Sequence, residues 1–499
     1  MRELTVELIG LIADRSPAIL FLTRRNKQAV GYVTCLILGS AVHAETEYHL
    51  SNHTSLRYLT ILYLSEWRHV MDNIPMSLRH LRVTGRTLTQ SEAVRLPPLL
   101  SLDLTVESDE NVFGVLDSLP SSLTNLVVRS SSATSIVIGT DYFVTHPDLI
   151  RVEGVIVTSR PDEPDVNLTR IESIEATPYL IDRHMPNLGK LILNCHIVPE
   201  VRMIEHLPYK SLQILCVCDW EVTSSCVNSL SLLKMLYAIM KPEELYGIKV
   251  PIVGISVLLT DITPCVLVID RLPKSIENAC VSNITDIQLD KTKPHPNLYT
   301  LSCDAHMLES NTVELPDSIT ALEMLTSHPH FNYATCYQMH SLVLSCVVWD
   351  NLSVGSLNVL PPHLESLTCN TQGWSPNKWE MSAPCELPST LTYLTLPSIP
   401  HFWRNNKEAI LSVLTLLKEL HIESMLPHWV ASHLSSLTSL SCVHSDSLYE
   451  LPRPQQLESL TVSGDLGDSI NQADIEGLES FFPNAYIDSF TCADVRNGE

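Results

Sequence analysis

Apolar residues recur along this chain in a short figure, L-x-x-L-x-L, and not in long helical runs. LPSSLTNLVV (119–128) is one copy; LPKSIENACV (272–281), LPDSITALEM (315–324), LPPHLESLTC (360–369) and LPSTLTYLTL (387–396) are others. The last two apolar positions of each copy stand two residues apart, the period of a strand with one covered face. Aligned on the first apolar position, the copies begin at Leu56, Leu78, Leu99, Leu123, Leu149, Leu168, Leu188 and Leu212. They continue through Leu233 and Val250 to Ile276, Leu298, Ile319, Met339, Leu364, Leu391, Leu417, Leu437 and Leu457, with clear spacings of 19 to 27 residues. A unit this short cannot cover its own leucines, so neighbouring units must stack their strands in parallel. The predicted fold is an α/β solenoid of about 17–20 irregular repeats, one strand each. The Ser-, Thr- and Pro-rich segments between strands predict a back of turns and short helical pieces, with helices at 226–241 and 406–418.

The third apolar position accepts Cys303, Cys369, Cys442, Val128, Ile422, Met324 or Leu396 alike. Those cysteines therefore read as packing residues. Strand alternation turns the intervening residues outward: Thr60, Arg82, Asp103, Val127, Glu153, Ile192, Thr368, Thr395 and His421 in one column, Tyr58, His80, Arg151, Lys190 and Tyr393 in the column before it. Val127 and Ile192 suggest an apolar patch. Arg57, Tyr58, Arg79, His80 and Arg82 form a cationic patch with an aromatic, flanked by Arg68, His69 and Arg86, suited to an acidic peptide or a phosphate. Arg57, Tyr58, Arg79, His80, Arg82, Asp103, Tyr393 and His421 are the candidate partner-binding residues.

The repeat resembles the leucine-rich-repeat family over most of the chain, and the Leu-Pro-x-Ser-Leu spelling is similar to its short-repeat protist, viral and bacterial members. The resemblance implies a parallel horseshoe whose concave face holds a protein ligand. The chain departs from the family in its Asn after the strand, present only sporadically, as at Asn194 and Asn370.

Residues 1–45 read differently. Leu4, Leu8, Leu11 and Ile12 fall at helical spacing, and Ser16-Pro17 fits a second helix start before Ile19, Leu20 and Leu22. This segment resembles an F-box, a helical module that holds the Skp adaptor of a cullin ubiquitin ligase. By that resemblance Leu4, Leu8, Ile12, Pro17 and Leu20 face an adaptor, and the protein is a substrate receptor. Thr5 replaces the usual Pro and no Trp follows Lys27. The alternative is a helical cap on the first repeat. The domain reading is residues 1–45 as helical module, 46–472 as solenoid and 473–499, with a helix and one last strand, as end cap.

Composition narrows the partners. The 499 residues carry a net charge of −24, and the first hundred are slightly basic while the rest holds the acidity. Such a body repels phosphate backbones, so nucleic acid is not an expected partner. No apolar run is long enough for a membrane span. The 14 cysteines are dispersed without terminal clusters, which points to free thiols and a cytoplasmic location. A secreted form, with the run 29–44 as leader, is the alternative. No phosphate-loop, dinucleotide, nucleophile-elbow or zinc-protease motif occurs, so neither catalysis nor a cofactor is expected. Cys216-Val-Cys218 puts two thiols on one strand face but lacks two further ligands for zinc. Cys492-Ala-Asp494 resembles the nucleophile of bacterial leucine-rich-repeat ubiquitin ligases, without the large helical domain that would follow the repeats.

Overall fold

The computed structural model describes residues 19–22, 35–38, 54–62, 74–106, 112–130, 135–159, 166–194, 203–260, 265–288, 295–305, 315–326, 336–346, 360–371, 387–396, 413–463 and 472–490. The chain divides into two compact units, Met1–Ala238 and Ile239–Glu499.

Most of the described repeats are entered through a turn. In the Leu-Pro copies the proline carbonyl accepts from the N–H of the apolar residue three places on, as in Leu78 to Pro75 (3.0 Å), Leu123 to Pro120 (3.2 Å), Ile276 to Pro273 (3.0 Å) and Leu364 to Pro361 (3.2 Å). Proline has no N–H to satisfy and a fixed φ, which suits a bend before pairing begins. Where proline is missing another carbonyl closes the same turn: His146 for Leu149, Met185 for Leu188, Cys336 for Met339.

In six repeats a hydroxyl just before that apolar residue ties the repeat to the one before it. Ser77 donates to the Leu56 carbonyl (2.8 Å), Ser122 to Leu99 (2.7 Å), Ser211 to Leu188 (2.8 Å), Ser275 to Ile252 (2.8 Å), Ser318 to Leu298 (2.8 Å) and Thr390 to Leu364 (2.7 Å). This explains the serine of Leu-Pro-x-Ser-Leu. It satisfies a carbonyl that the turn carries out of the ladder.

The strand starts two residues later. In the first unit the strands are β1 (Ile19–Leu22), β2 (Cys35–Leu38), β3 (Tyr58–Leu62), β4 (His80–Thr87), β5 (Ser101–Val106), β6 (Asn125–Ser130), β7 (Val137–Gly139), β8 (Arg151–Thr158), β9 (Ser173–Ala176), β10 (Lys190–Asn194), β11 (Met203–Ile204) and β12 (Ile214–Val222). The ladder runs β1-β2-β3-β4-β5-β6-β8-β9-β10-β12, all parallel, with β7 against β8 and β11 against β12. β13 (Met235–Met240) contains the division between units. In the second unit follow β14 (Gly254–Leu259), β15 (Val266–Val268), β16 (Asn278–Ser282), β17 (Asp286–Gln288), β18 (Thr300–Ala305), β19 (Ala321–Thr326), β20 (Ser341–Cys346), β21 (Ser366–Thr371), β22 (Tyr393–Leu396), β23 (Glu419–Met425), β24 (Ser439–Val443), β25 (Ser459–Ser463) and β26 (Tyr486–Phe490). They pair in chain order, except that β15 and β17 form a separate parallel pair. A helix, Gln472–Phe481, precedes β26 and buries Leu478 and Phe482 at its end. Each unit is a leucine-rich-repeat solenoid.

Register is kept by the apolar columns. Leu59, Leu81, Leu102, Leu126 and Val152 stand in line in the first unit, and Leu301, Leu322, Leu342, Leu367, Leu394, Leu420, Leu440 and Leu460 in the second. None is more than 3% exposed. Slipping one strand by a residue would expose its whole apolar set, so the columns lock each other.

Four expectations need correction. The sixth repeat begins at Ile171, whose N–H meets the Leu168 carbonyl; Leu168 sits in the preceding turn, though it too is buried. The tenth begins at Ile252 and not at Val250, since β14 opens two residues after Ile252, which is fully buried. The stretch 226–241 is not one helix: a short helix, Ser224–Ser229, leads through a turn at Leu233 into β13. Leu20 lies on an extended strand, in register with Leu36 and through it Leu59, where a helix was expected. A strand there continues the ladder, which a helical module would have ended. Leu4, Leu8, Ile12 and Pro17 lie outside the described residues, as do Arg68, His69, Cys492 and 406–412.

Candidate functional site

The face of the sheet opposite the apolar columns is open. Thr60, Arg82, Asp103, Val127 and Glu153 occupy one register column of the first unit, and Glu175, Ile192 and Cys216 continue it across β9, β10 and β12. In the second unit the same column reads Cys280, Ser302, Glu323, Val343, Thr368, Thr395, His421, Ser441 and Thr461. The apolar Val127 and Ile192 do belong to this face, two strands of charge apart.

The cationic patch is rearranged relative to expectation. Arg57 and Arg79 brace turns: the Arg57 guanidinium donates to the Ser77 carbonyl (2.7 Å), and that of Arg79 to the carbonyls of Met76, Leu78 and Pro98 (2.9–3.2 Å). Tyr58 and His80 stack at 4.3 Å, 9° from parallel. Desolvation under that stack lowers the His80 pKa, so the imidazole adds shape and polarity more than charge. The exposed charge sits one column on. Asp103 accepts from Arg129 through both carboxylate oxygens (3.0 Å each) and lies 3.3 Å from Arg82. Asp103 is 18% exposed, whereas both arginines are 52% exposed. One carboxylate thus holds two guanidiniums upright, with one positive charge in surplus. Arg129 escaped the sequence reading because it lies beyond the L-x-x-L-x-L core, two residues past Val127; the same-face period of two was the signal that could have found it.

Further along, Glu153 meets Lys190 at 2.8 Å and accepts from Ser173 at 3.1 Å. Burial works against the Glu153 carboxylate, but Lys190, Ser173 and Arg151 outweigh it and hold its pKa below the ordinary range. Arg151 pairs with Glu172 at 3.5 Å. These groups border a depression of about 520 Å3 lined by Arg151, Glu153, Glu172, Ser173, Asn187, Gly189, Lys190, Gln213 and Ile214. Exposed pairs of this kind contribute about 0–1 kcal/mol each, so their value lies in orienting charge and not in holding the fold.

Tyr393 and His421 sit far along the second unit with ring centroids 5.4 Å apart. Burial lowers the His421 pKa. Around them the open face is built of hydroxyls, with Glu323, Glu419 and His421 the ionisable exceptions in the columns of Thr300 and Ser302 from β18 to β25. Six of the eight candidate residues lie on the first unit, and Tyr393 and His421 on the second. The structure gives a charged stretch on the first unit and a hydroxyl-rich stretch on the second. Among the described residues no cluster of three or more His, Cys, Asp or Glu is placed to hold a metal. Nor is any described helix long and apolar enough to cross a membrane.

No protein-family model matches the chain. No curated protein matches it either. Among solved structures it is similar to CroV588, described as a circular leucine-rich-repeat protein, at 17% identity and a TM-score of 0.41, covering 95% of this chain and 72% of that one. It is similar to TLR13 in a complex with single-stranded RNA at 14% identity and a TM-score of 0.41, covering 90% and 80%. A leucine-rich-repeat protein of Leptospira interrogans aligns at 15% identity and a TM-score of 0.25, covering 88% and 91%.

Proposed function

We propose that this protein is a non-catalytic binding protein whose ligand is a segment of another protein laid across the open face of the first unit. The observation that carries this reading is the Arg82–Asp103–Arg129 group. Two half-exposed guanidiniums are fixed in place by a carboxylate that satisfies each only in part, beside a stacked Tyr58–His80 pair. Guanidiniums in that state bind carboxylates or phosphorylated side chains bidentately, so the ligand class is an acidic or phosphorylated peptide. The surrounding protein is acidic, which concentrates this surplus charge as a local landmark.

The test is fluorescence anisotropy of acidic, phosphorylated, neutral and basic peptides of one length against the full chain. Binding of acidic or phosphorylated peptides that falls at least tenfold in Arg82→Ala/Arg129→Ala supports the proposal. Equal affinity for all four, or no effect of the double substitution, overturns it.

An adaptor-docking role for the N-terminal segment rests on the spelling around Leu4, Leu8, Ile12 and Pro17; the strand at Ile19–Leu22 counts against Leu20 as its fifth contact. Co-purification with a Skp-type adaptor, lost in Leu8→Asp/Ile12→Asp, is its test. The dispersed cysteines, seven of them buried among the described residues, fit a reducing, cytoplasmic setting.

A further inference from the structure

Cys216 and Cys218 are separated by one residue on β12, so their side chains leave the same face of the strand. That face is the open one: Cys216 stands in register with Ile192, and Cys218 with Asn194. Both thiols are part-exposed, and they are hydrogen-bonded to each other. The Asn194 side-chain oxygen, on the same face beside Cys218, is buried without a hydrogen-bond partner among the described residues. Seven of the other described cysteines are buried packing residues, and burial pushes Cys226 and Cys442 up to about 12. The 216–218 pair is therefore a different kind of cysteine. Two thiols in contact, open to solvent, with an unsatisfied oxygen alongside, are not needed to pack a repeat, as the Asp103, Val127 and Glu153 positions of the same column show.

We propose that Cys216 and Cys218 form a two-thiolate site for a soft d10 metal ion of the Cu(I) class. Ligand count selects the ion. Zinc takes four protein ligands in closed sites, and no third His, Cys, Asp or Glu is placed here among the described residues. Thiolates prefer Cu(I), which two sulfurs can satisfy. The alternative use of the pair, an internal disulfide, is disfavoured by the strand: residues two apart are about 6.6 Å apart between Cα atoms, at the upper limit for a bridge. Binding balances as one Cu(I) plus two thiols giving a bis-thiolate complex of charge −1 and two released protons. The Asn194 oxygen is at most a third, weak donor.

The experiment is anaerobic competition of the full chain against a chromophoric Cu(I) chelator, with Cys216→Ser, Cys218→Ser and, as control, Cys280→Ser. The full chain and Cys280→Ser should withhold one equivalent more copper than either pair variant, and Zn(II) should not compete. In parallel, alkylation of the unsubstituted chain followed by mass spectrometry should show Cu(I) shielding Cys216 and Cys218 at least tenfold and leaving Cys280 reactive. Equal copper retention by folded pair variants, displacement by Zn(II), or unchanged alkylation of the pair overturns the proposal. If circular dichroism shows the variants unfolded, the shielding measurement decides alone.

Discussion

Ser122→Ala removes one rung of the hydroxyl ladder and nothing else. The Ser122 hydroxyl is part-buried and donates at 2.7 Å to the Leu99 carbonyl of the preceding repeat. The bond is part-buried, so water can reach the freed carbonyl in the alanine variant and the cost is the net value of one intramolecular hydrogen bond, about 0.5–1.5 kcal/mol. Ser122→Thr keeps the donor, and Thr390 shows that a threonine hydroxyl makes the same bond at 2.7 Å; this variant should stay within about 0.5 kcal/mol of the parent. Ser318→Ala, in the other unit, should cost a similar amount, and the double variant should show the sum, because the two sites share no partner. The assay is urea unfolding by circular dichroism. With a slope of about 3 kcal/mol/M, one rung moves the midpoint by about 0.3 M at constant slope. A silent Ser122→Ala, or a Ser122→Thr as damaging as the alanine, would refute the assignment of that serine to inter-repeat bonding.

Other outcomes follow from the same geometry. Gly154→Ala should destabilise by more than about 3 kcal/mol and abolish soluble expression, because φ is +77° and a Cβ would stand 1.8 Å from the Val128 carbonyl oxygen. The His421 imidazole, with its pKa lowered by burial, should titrate below 6.5 by NMR. Its protonation is thereby penalised in the folded state, so stability is lost as pH falls below the unfolded value. Glu153 has the opposite sign of charge and a lowered pKa, so the stability it contributes is present above its ordinary carboxylate value and is lost as pH falls through the folded one. Glu153→Gln should flatten that acid limb in pH-dependent melting. Native alkylation should spare Cys226 and Cys442, whose thiols burial holds near 12, and reach them only on denaturation.

How far the sequence could be read follows from what each residue answers to. The column from Thr60 to Glu153 was legible because packing dictates its neighbours: a buried apolar residue precedes each member, Leu59, Leu81, Leu102, Leu126 or Val152, and leaves no choice of face. The starts at Ile171 and Ile252 were missed because another apolar residue, buried Leu168 or half-buried Val250, stands within three residues of each, and composition alone cannot say which of two apolar residues closes the turn. The strand at Leu20 was missed because its apolar spacing also suits a helix, and short runs do not separate the two periods. Arg57 and Arg79 were given to the ligand, yet they serve turn carbonyls. Long cationic side chains reach several places from one Cα, and only coordinates say which.

The alternation of the strand divides labour between neighbouring letters of the sequence. In β5, Leu102 and Leu104 are fully buried while Asp103 between them faces out; in β6 the same place is Val127, in β4 it is Arg82. A substitution at such a position changes what the surface recognises and leaves the columns that carry stability untouched. A lineage of such chains can therefore rewrite its binding face residue by residue at almost constant folding free energy, and relatives with the same skeleton are free to serve unrelated ligands.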